Sequence, residues 1–286
     1  MTRTCKIVGL YSYPVKSCRG TEMSSVTLTP QGIEGDRQLV ILKGNKKTNQ
    51  AYLPKLATVA TRRIDDNTIE FSHASAGSVT HSISDDGEEV TIDFYGNSVP
   101  VIDQGNEVAE LVSASIGDDV RVAALKETFT RSVPLEEFAV VDGIDQSRFV
   151  DVAPILVTSV ESLADLNSRL ENTIPMERFR PNVVIEGLGA FEEDNAPVLE
   201  VNGIRLVRAT HCERCAVTCT DHLTGERASE PLKTLKSYRH REGGYAGGVM
   251  FGAYMGVEGT GTIGVGDSLT VRDTISVATH SQSATH

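Results

Sequence analysis

Three cysteines, Cys212, Cys215 and Cys219, lie within one short run of the chain, with His211 and His222 close by. Thiolates and imidazoles at short spacing are the side chains that hold transition metals or act as nucleophiles. The same region is locally basic. Between residues 205 and 241 there are eight Lys/Arg against four Asp/Glu, whereas the 286-residue chain is formally −12. A soft ligand set among cations suits a metal with something anionic beside it.

Several chemistries are open to these residues. A structural zinc site usually pairs C-x₂-C with a second such pair, and the only other cysteines are Cys5 and Cys18. The run 214–221, RCAVTCTD, is rich in Val and Thr and is expected to be extended. In a strand, Cys215 and Cys219 would share a face but sit ~13 Å apart, too far to hold one ion. Cys212 and Cys215 have thioredoxin-type spacing, but that motif normally caps a helix, and the downstream run does not read as helical. A nucleophilic cysteine would have His211 or His222 as its base. A buried structural cysteine suits Cys219. The remaining option is a single thiolate ligand to a soft metal whose other ligands come from a phosphate-bearing dithiolene cofactor.

Cations elsewhere could receive such a phosphate. Residues 1–20 contain Arg3, Lys6, Lys16 and Arg19 and no acid; Gly35-Asp36-Arg37 sits at a strand entrance; Arg178-Phe179-Arg180-Pro181-Asn182 sets two guanidiniums beside an amide. Taken singly, each reads as solvated surface charge.

The elements that must position these groups are mostly strands. Short apolar or β-branched runs at 6–13, 25–28, 38–42, 57–61, 69–71, 79–83, 90–94 and 99–102 are separated by turn residues, a pattern expected of a barrel or sandwich-like sheet. One helix is expected at 107–116, capped by Asn106 and stopped by Gly117. Residues 126–147 show no period and are expected to cross between domains. A strand at 154–158 then leads into a helix with Thr158 and Glu161 as a capping box and Leu163, Leu166 and Leu170 on its core face. A strand at 183–186, a hairpin at 198–210 around Asn202-Gly203, a helix at 232–239 opened by Pro231, and strands at 249–257 and 269–271 complete the pattern. The Ser/Thr/His-rich tail is expected to be disordered.

Charge and composition narrow the partners. A chain this acidic is not expected to bind nucleic acid or an anionic membrane generally. The first residues lack a signal-peptide core, and five cysteines without framework spacing fit a reducing, cytoplasmic setting.

The blocks YPVKSCRG at 13–20, GDR at 35–37, SLADLNSRL at 162–170, RFRPNVVIEG at 178–187, ERCAVTCTDHLTG at 213–225, EPLKTLKSYR at 230–239 and the FGAY and GTIGVGD ending resemble, in order, the MOSC-domain molybdenum proteins. The resemblance is closest to the amidoxime-reducing components and their bacterial relatives. It implies a mostly β fold with some α (α+β): a MOSC N-terminal β-barrel domain at 1–125, a MOSC β-barrel domain with flanking helices at 126–274, and a tail at 275–286. It also implies a mononuclear molybdenum-pterin cofactor whose metal is bound by one cysteine, which maps to Cys215. Pterin and phosphate contacts map to Lys16, Ser17, Arg37, Arg180, Asn182, Arg214 and Tyr254.

The activity so implied is reduction of a small N-hydroxylated substrate, with electrons from a separate ferredoxin, flavodoxin or cytochrome-type reductase. Cofactor delivery or sulfur carriage without reductase turnover is the alternative. Asp194 and His222 are the candidate general acids, and Cys212 is expected to be an outward-facing neighbour of the site. Three departures stand out. Val152 and Ala153 occupy positions often held by hydroxyl residues, Asn195 replaces an aromatic, and no C-x₄-C-x₂-C ferredoxin spacing is present.

Overall fold

The computed structural model describes residues 3–126, 148–242 and 248–273. The expected tail at 275–286 and most of the expected crossing segment lie outside the described residues.

Seven strands close into a barrel. In order around it they are Val183–Glu186, Ile155–Ser159, Met250–Glu258, Ile204–Glu213, Val198–Val201, Ser268–Arg272 and Thr4–Ser12, which pairs back onto Val183–Glu186. All neighbours are antiparallel except Ile155–Ser159 and Val183–Glu186, which run parallel. The first strand thus closes a barrel otherwise made from residues beyond 154. Alternation sends Cys5 and Ile7 inward, and a register shift between Ile7 and Gly9 brings Leu10 to the same side, where they meet Val157, Ile185, Leu206, Met255 and Leu269. Closure leaves no free edge among these seven strands. The hairpin turn Asn202-Gly203 has both residues at positive φ, 50° and 78°, the geometry that lets a two-residue turn match strand twist.

A second, nearly closed barrel-like body is built from the five-stranded sheet Glu89–Phe94, Asn97–Asp103, Arg121–Leu125, Leu39–Lys43 and Lys46–Thr48 and the three-stranded sheet Ala60–Arg63, Thr68–His73 and Gly77–Ser82. Val108 and Val112 of the helix Asn106–Ile116 pack with Leu39, Ile41, Phe71 and Val122 to fill its core. The protein is therefore mostly β with few helices, as expected. Among the described residues no helix is long and apolar enough to cross a membrane.

The two bodies are stitched together by residues 13–19. Arg37 N donates to Tyr13 O, Lys16 N to Leu39 O, and Thr61 N to Arg19 O. This hands the chain from the first barrel strand to the second body, with Lys16 and Ser17 at the seam.

Several expected boundaries move for local reasons. Gly105, not Asn106, caps the first helix; Asn106 is its first residue, and its side-chain oxygen accepts from Arg121. Ser159, one residue after Thr158, caps the helix Val160–Asn167 by accepting from Ser162 N, while Glu161 turns away to accept from Gly187 N. Leu170 lies beyond that helix. Residues Pro54–Thr58 form a 3₁₀ turn before the strand Ala60–Arg63, where one continuous strand was expected. The helix after Pro231 covers only Leu232–Lys236. The strand Gly261–Gly264, absent from the sequence reading, pairs with Ser25–Thr29.

Candidate functional site

Lys16, Ser17, Arg37, Arg180, Asn182, Arg214, Cys215 and Tyr254 line one open cavity of about 310 Å³. They come from five separate stretches of sequence, and the folds of both bodies are needed to bring them together.

Cys215 follows the barrel strand Ile204–Glu213 and is the exposed cysteine; Cys5, Cys18, Cys212 and Cys219 are buried. The expectation of an extended run here is overturned: Ala216–Cys219 is a 3₁₀ turn. Thr218 donates both its backbone N–H, at 3.2 Å, and its hydroxyl, at 3.0 Å, to Cys215 O. This short-range hydrogen bonding outweighs the β tendency of Val and Thr. The turn leaves Cys215 at the cavity wall and carries Cys219 into the interior, where its thiol meets Ser229 O at 3.5 Å.

Cys212 is also corrected, since it is fully buried instead of facing outward. Arg214 donates to its sulfur at 2.6 Å and to Phe179 O at 2.7 Å. Burial pushes the Cys212 thiol up, against the pull of Arg214. Among the described residues no group of three or more His, Cys, Asp or Glu side chains is placed to hold a metal ion.

The cations are fixed by polar contacts the sequence did not display. Lys16 is buried and donates to Phe149 O at 2.9 Å and Asp151 Oδ1 at 2.6 Å. Tyr95 donates to the same carboxylate oxygen at 2.5 Å. Asp151 is half exposed; the desolvation its carboxyl does feel opposes ionisation, but the Lys16 ammonium and these hydrogen bonds outweigh it and hold the group at about 2. Arg37 is ion-paired with Asp36 and donates to Asn182 Oδ1 at 3.1 Å. Asn182 donates in turn to Tyr11 O at 3.3 Å and Asp36 Oδ2 at 3.2 Å, and accepts from Leu156 N at 3.2 Å. Arg180 donates to Cys18 O at 2.6 Å. The guanidiniums of Arg37 and Arg180 stack on the Tyr13 ring, 4.7 and 4.3 Å from its centroid.

Ser17, Arg37 and Arg180 have positive φ of 74°, 49° and 55°. Such conformations are uncommon outside glycine and collect where the surrounding structure over-determines a functional backbone. Three on one cavity wall indicate a preformed site.

Sequence reasoning missed Asp36, Asp151, Tyr95 and Gln50, the last of which donates to Ser17 O at 2.7 Å. Only Asp36 carried a local signal, as the central residue of the GDR run. Asp194 does not reach the cavity: it is buried in an ion pair with Arg239, and its backbone oxygen accepts from Arg208. His222 lines a smaller neighbouring cavity. Of the sequence departures, Ala153 does line the main cavity and offers no side-chain hydrogen bond there.

A lone exposed thiol facing a cradle of fixed cations, at the junction of a closed barrel and a second β body, defines the class: a MOSC-type protein. The family profile for the MOSC N-terminal beta barrel domain matches residues 4–119, and that for the MOSC domain matches residues 145–270. Mitochondrial amidoxime-reducing component 1 of Mus musculus is 31% identical over 275 residues, covering 91% of this chain and 80% of that protein. The Homo sapiens protein of the same name is 30% identical, with 91% and 81% covered. Molybdenum cofactor sulfurase of Oryza sativa subsp. japonica is 30% identical over 83% of this chain, though the match spans 31% of that protein. The chain belongs to the MOSC-domain family, with the mitochondrial amidoxime-reducing components as homologues. Its function is accordingly related to the molybdenum cofactor.

Proposed function

We propose that this protein is a molybdenum-cofactor-dependent reductase of small N-hydroxylated compounds, supplied with electrons by a separate redox protein. The observation that carries the reading is the convergence of Cys215 with Lys16, Arg37, Arg180 and Arg214 on one cavity.

The residues fit an anionic, metal-bearing pterin. Arg180 and Arg214 form no ion pair with a carboxylate among the described residues, and Arg214 Nε is buried without a hydrogen-bond partner. Buried donors of this kind need an acceptor. Cys215 would hold the metal. Lys16, Arg37, Arg180 and Arg214 would hold the phosphate and pterin, with Ser17, Asn182 and Tyr254 adding hydrogen bonds. The bound cofactor supplies two-electron reduction of an N–O bond, consuming two protons and releasing the amine-type product and water. This chain's part is to fix the cofactor, exclude bulk water from the cavity floor and orient the substrate at its mouth.

In this reading the working division is 1–125 and 126–274, with the first strand lent to the later barrel and the cofactor at the seam. Five free thiols suit a reducing, cytoplasmic setting. Sulfur carriage is the second reading, favoured by the exposed Cys215 and the sulfurase relative.

The deciding experiment measures molybdenum per chain and reduction of a simple amidoxime with an artificial donor, for wild type and Cys215→Ala. Near-stoichiometric metal and turnover, both lost in the variant, support the reductase. Metal without turnover, or a one-sulfur mass gain on the Cys215 peptide, overturns it in favour of delivery or sulfur carriage.

A further inference from the structure

Tyr52 lines the main cavity with 77% of its surface exposed, and none of the roles proposed above uses it. A single exposed aromatic is ordinary. This one is held out by a loop that both bodies anchor. Within the loop, Asn49 O accepts from Tyr52 N at 3.0 Å and Leu53 N at 2.9 Å, and Asn49 Oδ1 accepts from Ala51 N at 2.8 Å. Gln50 is buried and ties the loop to the seam by donating to Ser17 O at 2.7 Å. Arg227 reaches across from the MOSC domain and donates to Ala51 O at 2.9 Å and to Gln50 O.

Arg227 also fixes where this loop lies relative to Cys215. Its Nε donates to Thr220 Oγ1 at 3.2 Å, and Thr220 N donates to Val217 O at 3.1 Å, within the turn that follows Cys215. One guanidinium therefore bonds the cysteine turn and the Tyr52 loop at once, which keeps them within a side chain's span. A backbone contact holds the same two stretches together: a Cβ on Gly225 would come within 3.0 Å of Lys55 Cα. The other tyrosines of the lining are engaged. Tyr95 gives its hydroxyl to Asp151 and carries the Lys47 ammonium 3.5 Å from its ring centroid, and Tyr254 hydrogen-bonds Cys212. Among the described residues no ring or cation stacks on Tyr52, so its face is open. Ala51, Val150, Ala153 and Val217 give the same cavity an apolar wall.

We infer that Tyr52 is the substrate-binding face of this site: it stacks on a planar aromatic group that carries the N-hydroxy function, and Arg227 is the residue that positions it. The inference rests on the reductase reading and narrows its substrate class. A cavity of about 310 Å³ is at the small end for a ligand site, so a substrate that joins a cofactor there is left the rim, where Tyr52 stands. A fixed tyrosine ring offers a flat partner a large, rigid contact at low entropic cost. Stacking of this kind favours an aryl substrate, whereas a small alkyl one covers little of the ring.

The test compares an aryl with an alkyl amidoxime, benzamidoxime with acetamidoxime, using an artificial electron donor so that docking of a redox protein does not enter. Tyr52→Ala should lower the benzamidoxime-to-acetamidoxime ratio of kcat/KM about tenfold, mainly through KM, and Tyr52→Phe should hold it near the wild-type value. Arg227→Met should lower the ratio in the same direction, again through KM. A variant that only folds poorly or loads less molybdenum lowers both substrates together and leaves the ratio where it was. Ligand-observed NMR reads benzamidoxime binding without turnover: saturation should reach its ring protons in wild type and Tyr52→Phe and fall in Tyr52→Ala. The inference is overturned if Tyr52→Ala leaves the ratio unchanged, or if Tyr52→Phe loses as much as Tyr52→Ala. Should the wild type reduce neither amidoxime, the reductase reading fails by itself and the NMR comparison decides the stacking face, with equal saturation in Tyr52→Ala overturning it.

Discussion

Arg214 donates to the sulfur of Cys212 at 2.6 Å, so the guanidinium beside the candidate metal ligand is held by the buried cysteine of the pair. Cys212 thereby acts on the site through Arg214, while Cys215 faces the cavity. The two thiols should separate cleanly under alkylation. Burial raises the thiols of Cys5, to about 11, and Cys18, to about 12, and raises Cys212 and Cys219 as well. Thiolate is the reactive form. Native iodoacetamide treatment followed by peptide mass mapping should therefore label Cys215 first and alone at early times. Loading with the molybdenum cofactor should suppress that label. Early labelling of Cys212 instead would sink the assignment of Cys215 as the free thiol.

Lys16 offers a second test, on stability and loading together. Its ammonium is buried, and its partner Asp151 keeps about half its side chain in water. Removing the cation leaves a carboxylate that can rehydrate, so Lys16→Met should cost about 1–3 kcal/mol, below the range for a fully buried pair. The acid limb carries the sign. Asp151 is held at about 2 against an ordinary 3.8, so its contribution is present above about pH 4 and is lost as pH falls through about 2. Urea denaturation should show the gap between wild type and Lys16→Met narrowing over that window. A gap that stays constant down to pH 2 would mean the pair contributes nothing.

Parts of this fold were legible from local residues alone. Val183–Glu186 was bounded correctly because its apolar run sits between Pro181-Asn182 and Gly187. The hairpin at Asn202-Gly203 was legible because that dipeptide tolerates the positive φ the turn needs. The turn at Ala216–Cys219 was not, because Val and Thr favour strands only where a pleated neighbour exists for them. The barrel membership of the first strand was hidden for a different reason: Lys6 pairs with Glu186, and no local pattern encodes so distant a partner. The site divides the same way. Its cations stood out as basic runs in an acidic chain, and the resemblance joined them. The carboxylates that fix them did not stand out, since Asp151 lies 135 residues from Lys16 and reads as ordinary surface.

Glu193 supplies a prediction remote from the cavity. It is fully buried, with its carboxylate oxygens accepting from Ser159 Oγ at 2.9 Å and Ser162 Oγ at 2.7 Å. Burial raises its carboxyl from 4.5 to about 7; the Ser162 hydrogen bond opposes this, and nearby Asp194 adds to it. Between those values the folded protein keeps a proton that the unfolded chain has released. Stability should therefore fall as pH rises through this window, by about 1.4 kcal/mol per pH unit and about 3 kcal/mol at most. Glu193→Gln should flatten that slope and be no less stable than wild type at pH 8. Parallel urea midpoints for the two proteins from pH 5 to 8 would refute the assignment.

Asn182 ties the first barrel strand, the strand Ile155–Ser159 and the second body into one polar knot. Its amide oxygen accepts from Leu156 N and from Arg37, and its amide nitrogen donates to Tyr11 O and Asp36. Asn182 is 1% exposed, so water cannot replace these bonds when the side chain is cut away. Asn182→Ala should cost about 2–4 kcal/mol, since it strands a backbone N–H and frees Arg37 from its second anchor. Asn182→Asp keeps the shape but brings a carboxylate against Asp36, so it should be worse near neutral pH and recover part of its stability as the pH falls towards 4. Arg37 should also lose its fixed orientation in both variants, so molybdenum content should drop in the folded fraction. If Asn182→Ala unfolds at the wild-type denaturant midpoint, the amide is a bystander, and the seam between the two bodies is held by the backbone bonds of residues 13–19 alone.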